Sequence, residues 1–180
     1  MPPDARPVAI APYDPDWSAR FEAESDLIRL TIGETVEQIH HMGSTSVPGL
    51  SAKPVIDIFL RVHTLADLDL KTGLLQVIGY VPYGENGLAG RRFFAKGGTK
   101  RSHHVHAYAM ANKEPLRHLA FRDYLRLNTP IAQAYAALKK RCAAAHAFDM
   151  PGYCDCKESF ILEHQSRAMA WFAHQGVDYG

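Results

Sequence analysis

Hydrophobic positions in the first third of the chain switch between helical and strand spacing. Apolar residues recur every three or four positions over residues 15–32, which predicts a helix with Asp14 or Asp16 as its cap. The segment TVEQIHHM is rich in strand formers and predicts a strand that ends before Gly43. The nearly uninterrupted apolar run at residues 55–62, which contains one aspartate, predicts a central strand covered on both faces.

The middle of the chain predicts one more helix and a hairpin. Thr64 can cap a helix whose leucines form an apolar stripe, and the glycine of IGY ends that helix. The glycine-rich segment YGENGLAG follows as a loop. RRFFAKG and SHHVHAYAM flank GTKR and predict an antiparallel hairpin. With the two earlier strands, this hairpin completes a mixed sheet.

The last third of the chain has a helical composition. From Asn112 onward alanine and leucine become more frequent and strand formers become fewer, and breaks near Pro130 and at MPG separate three helices. The chain contains no internal repeat, low-complexity tract or obvious flexible linker. We therefore expect one α+β domain over residues 1–180, with a sheet-rich part at 1–111 and helices at 112–180 packed on it.

Composition and charge narrow the class of protein. The 180 residues are 47% hydrophobic and 22% charged, which is typical of compact globular proteins. A formal net charge of +1 excludes the broad positive field that drives nonspecific nucleic-acid binding. The N-terminal segment MPPDARPVAI lacks the features of a signal peptide, and no window is long and apolar enough to cross a membrane. We expect a cytoplasmic protein without a membrane or strong nucleic-acid partner.

The cysteines do not form a recognisable pattern. Cys154 and Cys156 are separated by one residue, and together with Cys142 they lack the fourth ligand of a structural zinc site. An odd number of cysteines in a chain expected to be cytoplasmic does not indicate a disulfide framework. We expect reduced thiols that are ordinary helix residues.

The segment HHMGSTSVPGLSAKP places a glycine and hydroxyl residues directly after a predicted strand. Gly43, Ser44 and Thr45 can present backbone N–H groups and a hydroxyl oxygen to an anion if a helical turn begins there. Lys53 is positioned beside them to contact a phosphate. On these residues alone an ordinary tight turn is the commoner explanation, because Gly43 can supply an unusual backbone angle and Ser44 can cap a turn.

A second candidate group combines a carboxylate with imidazoles. Asp57 lies within an apolar strand, where it must be paired, hydrogen-bonded or bound to a cation. Strand alternation places His104 and His106 on one face and His103 on the other. With Asp57 on a neighbouring strand, the pair would form a plausible transition-metal site. An alternative for Asp57 is that it bonds backbone amides at an exposed end of its strand. The alternative for the two histidines is that they belong to a strand face that is merely polar.

Basic residues later in the chain could neutralise further ligand charge. Arg122 and Arg126 stand one helical turn apart, where their repulsion calls for an acidic neighbour such as Asp123 or an anionic ligand. A solvated helix face is the commoner explanation for each basic residue of the helical third. The candidates for additional phosphate contacts are Arg91, Arg122, Lys139 and Lys157.

The stretch HHMGSTSVPGLSAKPVIDIFLRV resembles the signature of the GrpB family, small bacterial proteins of the nucleotidyltransferase superfamily. PYDPDWSARFEAE, HHVHAY, LAFRDYLRLN, YAALKKR and YCDCKESFI resemble further segments of the family pattern in the same order. The resemblance extends over residues 8–161. It implies a nucleotidyltransferase-like fold, a mixed β-sheet flanked by helices.

In superfamily enzymes a Gly-Ser turn holds nucleotide phosphates, and carboxylates on the following strands bind divalent metal. The resemblance therefore implies phosphate contacts at Gly43 and Ser44 and a catalytic, metal-binding role for Asp57. The second aspartate of the pattern falls on Phe59, which cannot bind a metal, and the later strand offers His104 and His106 instead of an acid. Imidazoles favour softer ions, so the expected cofactor is a divalent metal whose identity is open among Mg²⁺, Mn²⁺ and Zn²⁺.

Three functions remain open at this point. The first is a metal-dependent nucleotidyl or phosphoryl transferase with an atypical metal site, which acts on a nucleotide or another phosphorylated small molecule. The second is a non-catalytic nucleotide-binding module that acts as a sensor or as an accessory to a metabolic enzyme. The third is a protein-interaction domain whose histidines only decorate a sheet. The sequence does not indicate the substrate, the acceptor or the oligomeric state.

Overall fold

The computed structural model describes residues 7–113 and 115–177, so most of the N-terminal segment considered for a signal peptide lies outside the described residues. Sheet and helices follow one another along the chain largely as the hydrophobic pattern predicts. The elements are α1 (Asp16–Ile32), β1 (Val36–Met42), β2 (Ile56–Val62), α2 (Leu65–Val77), β3 (Tyr80–Pro82), β4 (Arg92–Lys96), β5 (His103–Ala109), α3 (Leu116–Leu127), α4 (Thr129–Ala145) and α5 (Met150–His174).

The strands form a mixed sheet in the order β1-β2-β5-β4-β3. Strands β2 and β5 run parallel, and the other neighbouring pairs are antiparallel, including the predicted β4–β5 hairpin. Strand β2 is internal, as its apolar run predicts, but β5 occupies the centre. Strand β3 was not predicted, because three residues are too few to show strand alternation.

The two faces of the sheet are covered by different helices. On β2, Ile58, Leu60 and Val62 have no exposed surface and pack into a core that α1 and α2 complete. On the opposite face Phe59 packs against Leu119 of α3. Each of these fully buried apolar side chains contributes roughly 1.5–3 kcal/mol relative to an exposed one. This arrangement confirms the α+β class and leaves the start of β2 at the edge of the helical layer.

The helix starts show one correct and one incorrect cap prediction. Thr64 accepts a hydrogen bond from the N–H of Asp67, so it caps α2 as predicted. For α1, Pro15 occupies the cap position and neither predicted aspartate does. Asp14 nevertheless accepts from the N–H of Asp16 at 3.0 Å and satisfies one amide of the first turn.

The prediction of three reduced thiols is wrong. Cys142 on α4 and Cys156 on α5 form a disulfide, with their Cα atoms 5.8 Å apart, while Cys154 is exposed and has a free thiol. The two cysteines are 14 residues apart in sequence and meet because α4 and α5 pack side by side. Such a tertiary contact leaves no trace in cysteine spacing.

None of the helices in the described part of the chain is long and apolar enough to cross a bilayer.

Candidate functional site

The turn after β1 brings the backbone against Asp57. Gly43 has φ +71°, and a Cβ at this position would lie 2.6 Å from Oδ2 of Asp57. A 3₁₀ turn, Ser44–Ser46, begins at the next residue. A helical turn at this point is the condition under which these residues could bind an anion. Only glycine combines this backbone angle with so close an approach, which explains why the chain has glycine here.

Polar contacts fix the shape of this turn. The Ser46 hydroxyl donates to the Gly43 carbonyl at 2.5 Å. Nε2 of His41 lies 2.9 Å from the Thr45 hydroxyl, and burial lowers the pKa of His41 to about 4, so its imidazole is neutral at neutral pH. The first N–H groups of a helical turn have no acceptor within that turn. The amides of Ser46 and Val47 are bonded within the turn, so the amide hydrogens that the turn can offer to a ligand are the earlier ones, at Ser44 and Thr45.

A cavity of about 190 Å³ opens between this turn, the start of β2 and the helices α4 and α5. It contains three lysines and one carboxylate, and we call it the lysine cavity. Its walls are Gly43, Ser44, Thr45, Ala52, Lys53, Val55, Asp57, His104, Tyr135, Lys139, Tyr153 and Lys157. Eight of the predicted site residues thus meet in one space.

Lys139 is the most deeply buried of the three lysines, with 2% of its surface exposed. Its ammonium donates to the Ser51 carbonyl at 2.5 Å and lies 4.7 Å from the centre of the Tyr135 ring. Burial, with the nearby charge of Lys157, lowers the pKa of Lys139 to about 7. No carboxylate neutralises it among the described residues, so an anionic ligand would find an uncompensated charge here.

Lys53 and Lys157 share a single aromatic ring. Their Nζ atoms lie 5.6 Å and 5.0 Å from the centre of the Tyr153 ring. The Lys53 ammonium also lies 3.4 Å from the sulfur of Met150. Cation–π contacts of this kind keep two like charges close together. Each contact stabilises its ammonium group by roughly 0.5–1 kcal/mol at an exposed site.

The two tyrosines were missed in the sequence analysis. Tyr135 precedes Lys139 by four residues, and Tyr153 precedes Lys157 by four. This spacing places each tyrosine and its lysine on one face of a helix. The repeated Tyr-x-x-x-Lys pattern in YAALK and YCDCK was the signal that could have identified them.

Asp57 and two histidines form a compact polar cluster beside the cavity. The parallel register pairs Asp57 with His104 across β2 and β5. Oδ1 of Asp57 lies 3.2 Å from Nδ1 of His104 and 3.6 Å from Nε2 of His106. His103 points to the other face of the sheet, 3.9 Å from Glu24. The strand alternation is therefore as predicted, and the two candidate strands are neighbours.

The surroundings of Asp57 favour its ionised form. Burial alone would raise the pKa of Asp57, but hydrogen bonding to His104 and His106 outweighs it and holds the pKa below the usual range. About 30% of the Asp57 side chain remains exposed. The carboxylate is thus charged and accessible from the cavity at physiological pH.

The donor atoms of this cluster are spaced as metal ligands. Asp57, His104 and His106 each offer one atom within 4.8 Å of the others. Two ligands of a tetrahedral Zn²⁺ at roughly 2.1 Å stand about 3.4 Å apart, a distance close to both carboxylate–imidazole separations. Two imidazoles and one carboxylate are also a donor set that suits Zn²⁺, Mn²⁺ or Fe²⁺ better than Mg²⁺.

Arg91 does not line the lysine cavity. It is buried, and its guanidinium donates to the backbone carbonyls of Glu85 and Asn86, which fixes the loop before β4. A third nitrogen of Arg91 lies 3.4 Å from Nδ1 of His106. Because a guanidinium only donates, this contact favours the tautomer that carries its proton on Nε2. A metal bound at Nε2 would need the other tautomer and would displace Arg91.

Arg122 also lies outside the lysine cavity. It forms two hydrogen bonds to Asp123 and donates to the His41 carbonyl at 2.9 Å. Arg126 shares the same aspartate and donates to the Ser46 carbonyl. Asp123 is therefore the acidic neighbour that compensates the repulsion between the two arginines. Both arginines also stabilise the turn through its backbone carbonyls.

Phe59 cannot contribute to the site. It is 1% exposed and packs edge-on against Tyr108, with ring centres 5.8 Å apart. The position where the superfamily pattern has a second aspartate is thus part of the core between the sheet and α3.

Comparison with known protein families gives a match over most of the chain. A family model described as GrpB protein matches residues 7–167. The UPF0157 protein YqkA of Bacillus subtilis is 42% identical over 166 residues, which cover 92% of this chain and 48% of YqkA. The chain therefore spans about half the length of that relative. A dephospho-CoA kinase of Mycobacterium leprae is 27% identical over 193 residues, 92% of this chain and 47% of the kinase.

Solved structures agree with this assignment. The crystal structure of the conserved protein GrpB from Enterococcus faecalis matches with a TM-score of 0.87 and 42% identity, covering 91% of this chain and 99% of that one. The Cid1 poly(U) polymerase bound to MgGTP matches with a TM-score of 0.53 and 16% identity, covering 75% of this chain and 44% of Cid1. The second similarity shows a nucleotidyltransferase-like fold.

Proposed function

The chain belongs to the GrpB family and has a nucleotidyltransferase-like fold, and from this premise we propose that it binds a nucleotide or another phosphorylated small molecule in the lysine cavity. One observation carries the proposal: the Gly43 turn, three lysines and Asp57 converge on one space. Three ammonium groups beside a single carboxylate leave an excess of positive charge. Phosphate groups are the common biological ligands that match it.

Each wall of the cavity has a role in this proposal. The phosphate oxygens are held by the backbone amides of the turn, by the Ser44 hydroxyl, and by the ammonium groups of Lys53, Lys139 and Lys157. Asp57 adjoins the turn at Gly43, where its charge orients the ligand rather than attracts it. Arg91 and Arg122, which lie behind the walls, act by fixing the loop and the turn.

A divalent transition metal would be held by Asp57, His104 and His106. When bound, it would supply a Lewis acid that polarises a phosphoryl oxygen. The carboxylate then serves as a metal ligand, and the lysines neutralise charge that develops on the phosphoryl oxygens. A nucleotidyl or phosphoryl transfer is the reaction that these groups could support.

Ligand and metal binding can be tested by titration calorimetry on protein purified without a histidine tag. We expect tripolyphosphate and nucleoside triphosphates to bind, and Zn²⁺ or Mn²⁺ to bind with one ion per chain. Asp57→Asn keeps the shape of the side chain but removes its charge, so it should abolish metal binding and leave or strengthen tripolyphosphate binding. Asp26→Asn, on the exposed face of α1, is the matched control. Absence of binding by every phosphate compound would refute the proposal.

The second candidate is a binding module without catalysis, which is supported by Phe59 at the second carboxylate position. One carboxylate is a poor substitute for the clustered oxygen ligands of two-metal phosphoryl transfer. The similarity to part of a dephospho-CoA kinase also suits a module that accompanies a metabolic enzyme. Incubation with labelled nucleoside triphosphates and metal distinguishes the two. Binding without product, and an Asp57→Ala effect limited to affinity, would select the module.

A further inference from the structure

A second cavity, of about 140 Å³, lies behind the lysine cavity between α3 and α5. Gly43, Ser44 and Tyr135 line both cavities, so the two cavities are neighbours on either side of the Ser44 turn. We call it the α3/α5 cavity. Apart from the turn and Arg122, the residues of its walls are not among the site candidates predicted from the sequence.

Most of the walls of the α3/α5 cavity are apolar. Met42, Phe121, Leu125 and Ile161 contribute its surface. Unlike the lysine cavity, it is lined by no lysine, and the arginine in its wall, Arg122, is already paired with Asp123. A phosphate group would therefore gain little here, whereas a flat, uncharged ring would be desolvated by apolar contacts on its faces.

Two polar side chains in this cavity form a pair. Gln165 is 3% exposed, and its amide nitrogen lies 3.1 Å from Nδ1 of His118. Burial and the neighbouring Arg117 lower the pKa of His118 to about 4, so the imidazole is neutral. If the amide donates to Nδ1, the proton of the neutral ring is on Nε2. The pair then offers one donor, Nε2–H, and one acceptor, the amide oxygen.

Neither of these atoms has a hydrogen-bond partner in the part of the chain that the structure describes, residues 7–113 and 115–177. Both residues line the cavity, so these atoms are available to a ligand there. A ligand donor could bond the oxygen of Gln165, and a separate ligand acceptor could bond the N–H of His118, on the far side of the imidazole ring. A nucleobase carries both donors and acceptors around its ring.

The size of the cavity restricts the base. An apolar cavity of roughly 150 Å³ accommodates one benzene ring, so the 140 Å³ of the α3/α5 cavity fits a single six-membered ring. From these observations we infer that the α3/α5 cavity is a subsite for a pyrimidine base, read by Gln165 and His118, of a nucleotide whose phosphates occupy the lysine cavity. This inference rests on the proposed function and names its ligand class.

Titration calorimetry separates the base contribution from the phosphate contribution. Tripolyphosphate measures binding in the lysine cavity alone, and UTP and CTP add the base. We expect at least one of the two pyrimidine nucleotides to bind about tenfold or more tightly than tripolyphosphate. ATP and GTP should bind no more tightly than tripolyphosphate, because a second ring does not fit.

Two substitutions test the assigned side chains. Gln165→Leu and His118→Phe keep an apolar wall but remove the hydrogen-bonding atoms, so each should weaken UTP or CTP binding about fivefold, the effect of one neutral hydrogen bond. Tripolyphosphate binding should not change. Gln76→Leu, on the exposed side of α2, is the control. Circular dichroism checks folding, and Gln165→Met replaces the leucine variant if that variant does not fold.

The outcomes distinguish this inference from the proposal beneath it. If tripolyphosphate binds but UTP and CTP bind no more tightly, the subsite is wrong and the lysine cavity stands. Equal gains for purine and pyrimidine nucleotides also overturn the subsite. If no phosphate compound binds, the proposed function fails and the subsite fails with it.

Discussion

At the scale of single residues, Lys139 combines a high electrostatic cost with a clear role in the proposed site. Its ammonium is buried with one carbonyl as hydrogen-bond partner and lies near another lysine. Burial of a charge without a counter-ion is unfavourable, and replacement by an apolar residue of similar size is often neutral or stabilising. A lysine at such a position is explained by a ligand that supplies the missing negative charge.

Lys139→Met should therefore stabilise the ligand-free protein while it removes a ligand contact. We expect the free energy of unfolding at about pH 6 to rise by about 1–2 kcal/mol and tripolyphosphate affinity to fall at least tenfold. Chemical denaturation and calorimetry measure the two effects. The neighbouring Lys140 is exposed, and Lys140→Met should change neither quantity much. A Lys139→Met protein that is less stable and binds as well would contradict the assignment.

Gly43→Ala tests the close approach of the turn to Asp57. The added Cβ would lie 2.6 Å from the carboxylate oxygen and would also have to adopt a positive φ. Gly49 has φ +77° and open space around its Cα, so Gly49→Ala incurs the backbone strain alone. We expect both variants to lose about 1 kcal/mol or more of stability, and only Gly43→Ala to lose tripolyphosphate binding. Equal binding losses would mean that the clash is irrelevant.

Individual site residues could be predicted only where a local rule applied. Asp57 was identified because a carboxylate in an apolar strand needs a partner, and alternation gave the shared face of His104 and His106. The partners of Arg91, two backbone carbonyls of its own loop, depend on how that loop folds back and could not be inferred from residue type. Gln165 lies in a long helix whose packing partners the sequence does not specify.

At the scale of elements, α4 and α5 act together as one wall of the lysine cavity. Each supplies a tyrosine–lysine pair at a spacing of four, and the Cys142–Cys156 disulfide joins the helices within one turn of Lys139 and Lys157. The ammonium groups repel one another, so a covalent link between their helices offsets part of that repulsion. The helix periods were predictable from sequence, but the pairing of α4 with α5 was not.

Removal of the disulfide should destabilise the protein. For a closed loop of about 15 residues the chain-entropy treatment gives about 3 kcal/mol, so the variant with Cys142→Ser and Cys156→Ser should unfold at a clearly lower denaturant concentration. Cys154→Ser removes the exposed free thiol and should have little effect. Thiol counting under denaturing conditions, before and after reduction, establishes the starting state. One thiol before reduction and three after it are expected; three in both would contradict the disulfide.

At the scale of the whole molecule, the sheet order illustrates what a sequence can and cannot specify. The apolar run of β2 predicts burial on both faces, and the hairpin predicts β4 beside β5. That β5 rather than β3 joins β2 depends on the parallel crossover between them, which the local pattern does not show. This crossover brings Oδ1 of Asp57 to 3.2 Å from His104 and 3.6 Å from His106, so the site itself follows from topology.

Binding of an anion to the intact protein should depend on pH through Lys139. Its pKa in the folded state is about 7, against 10.5 for an ordinary lysine. An anionic ligand favours the charged form, so a ligand that binds above pH 7 must bring a proton with it and its affinity should fall as pH rises, by up to tenfold per pH unit. Sulfate, whose own charge is constant in this range, is a suitable probe.

The same pKa shift has the opposite consequence for the ligand-free protein. Between about pH 7 and pH 10.5 the unfolded chain carries the Lys139 proton and the folded chain does not, so this residue makes the free energy of unfolding increase with pH over that range. Between about pH 6.5 and 8.5 the stabilisation by sulfate should therefore decrease. Over the same range the effect of Lys139 on the free energy of unfolding without sulfate should become more favourable. Lys139→Met should abolish both trends. Thermal unfolding at a series of pH values with and without sulfate separates them. Equal sulfate stabilisation at both ends of the range would show that Lys139 does not change its charge when the anion binds.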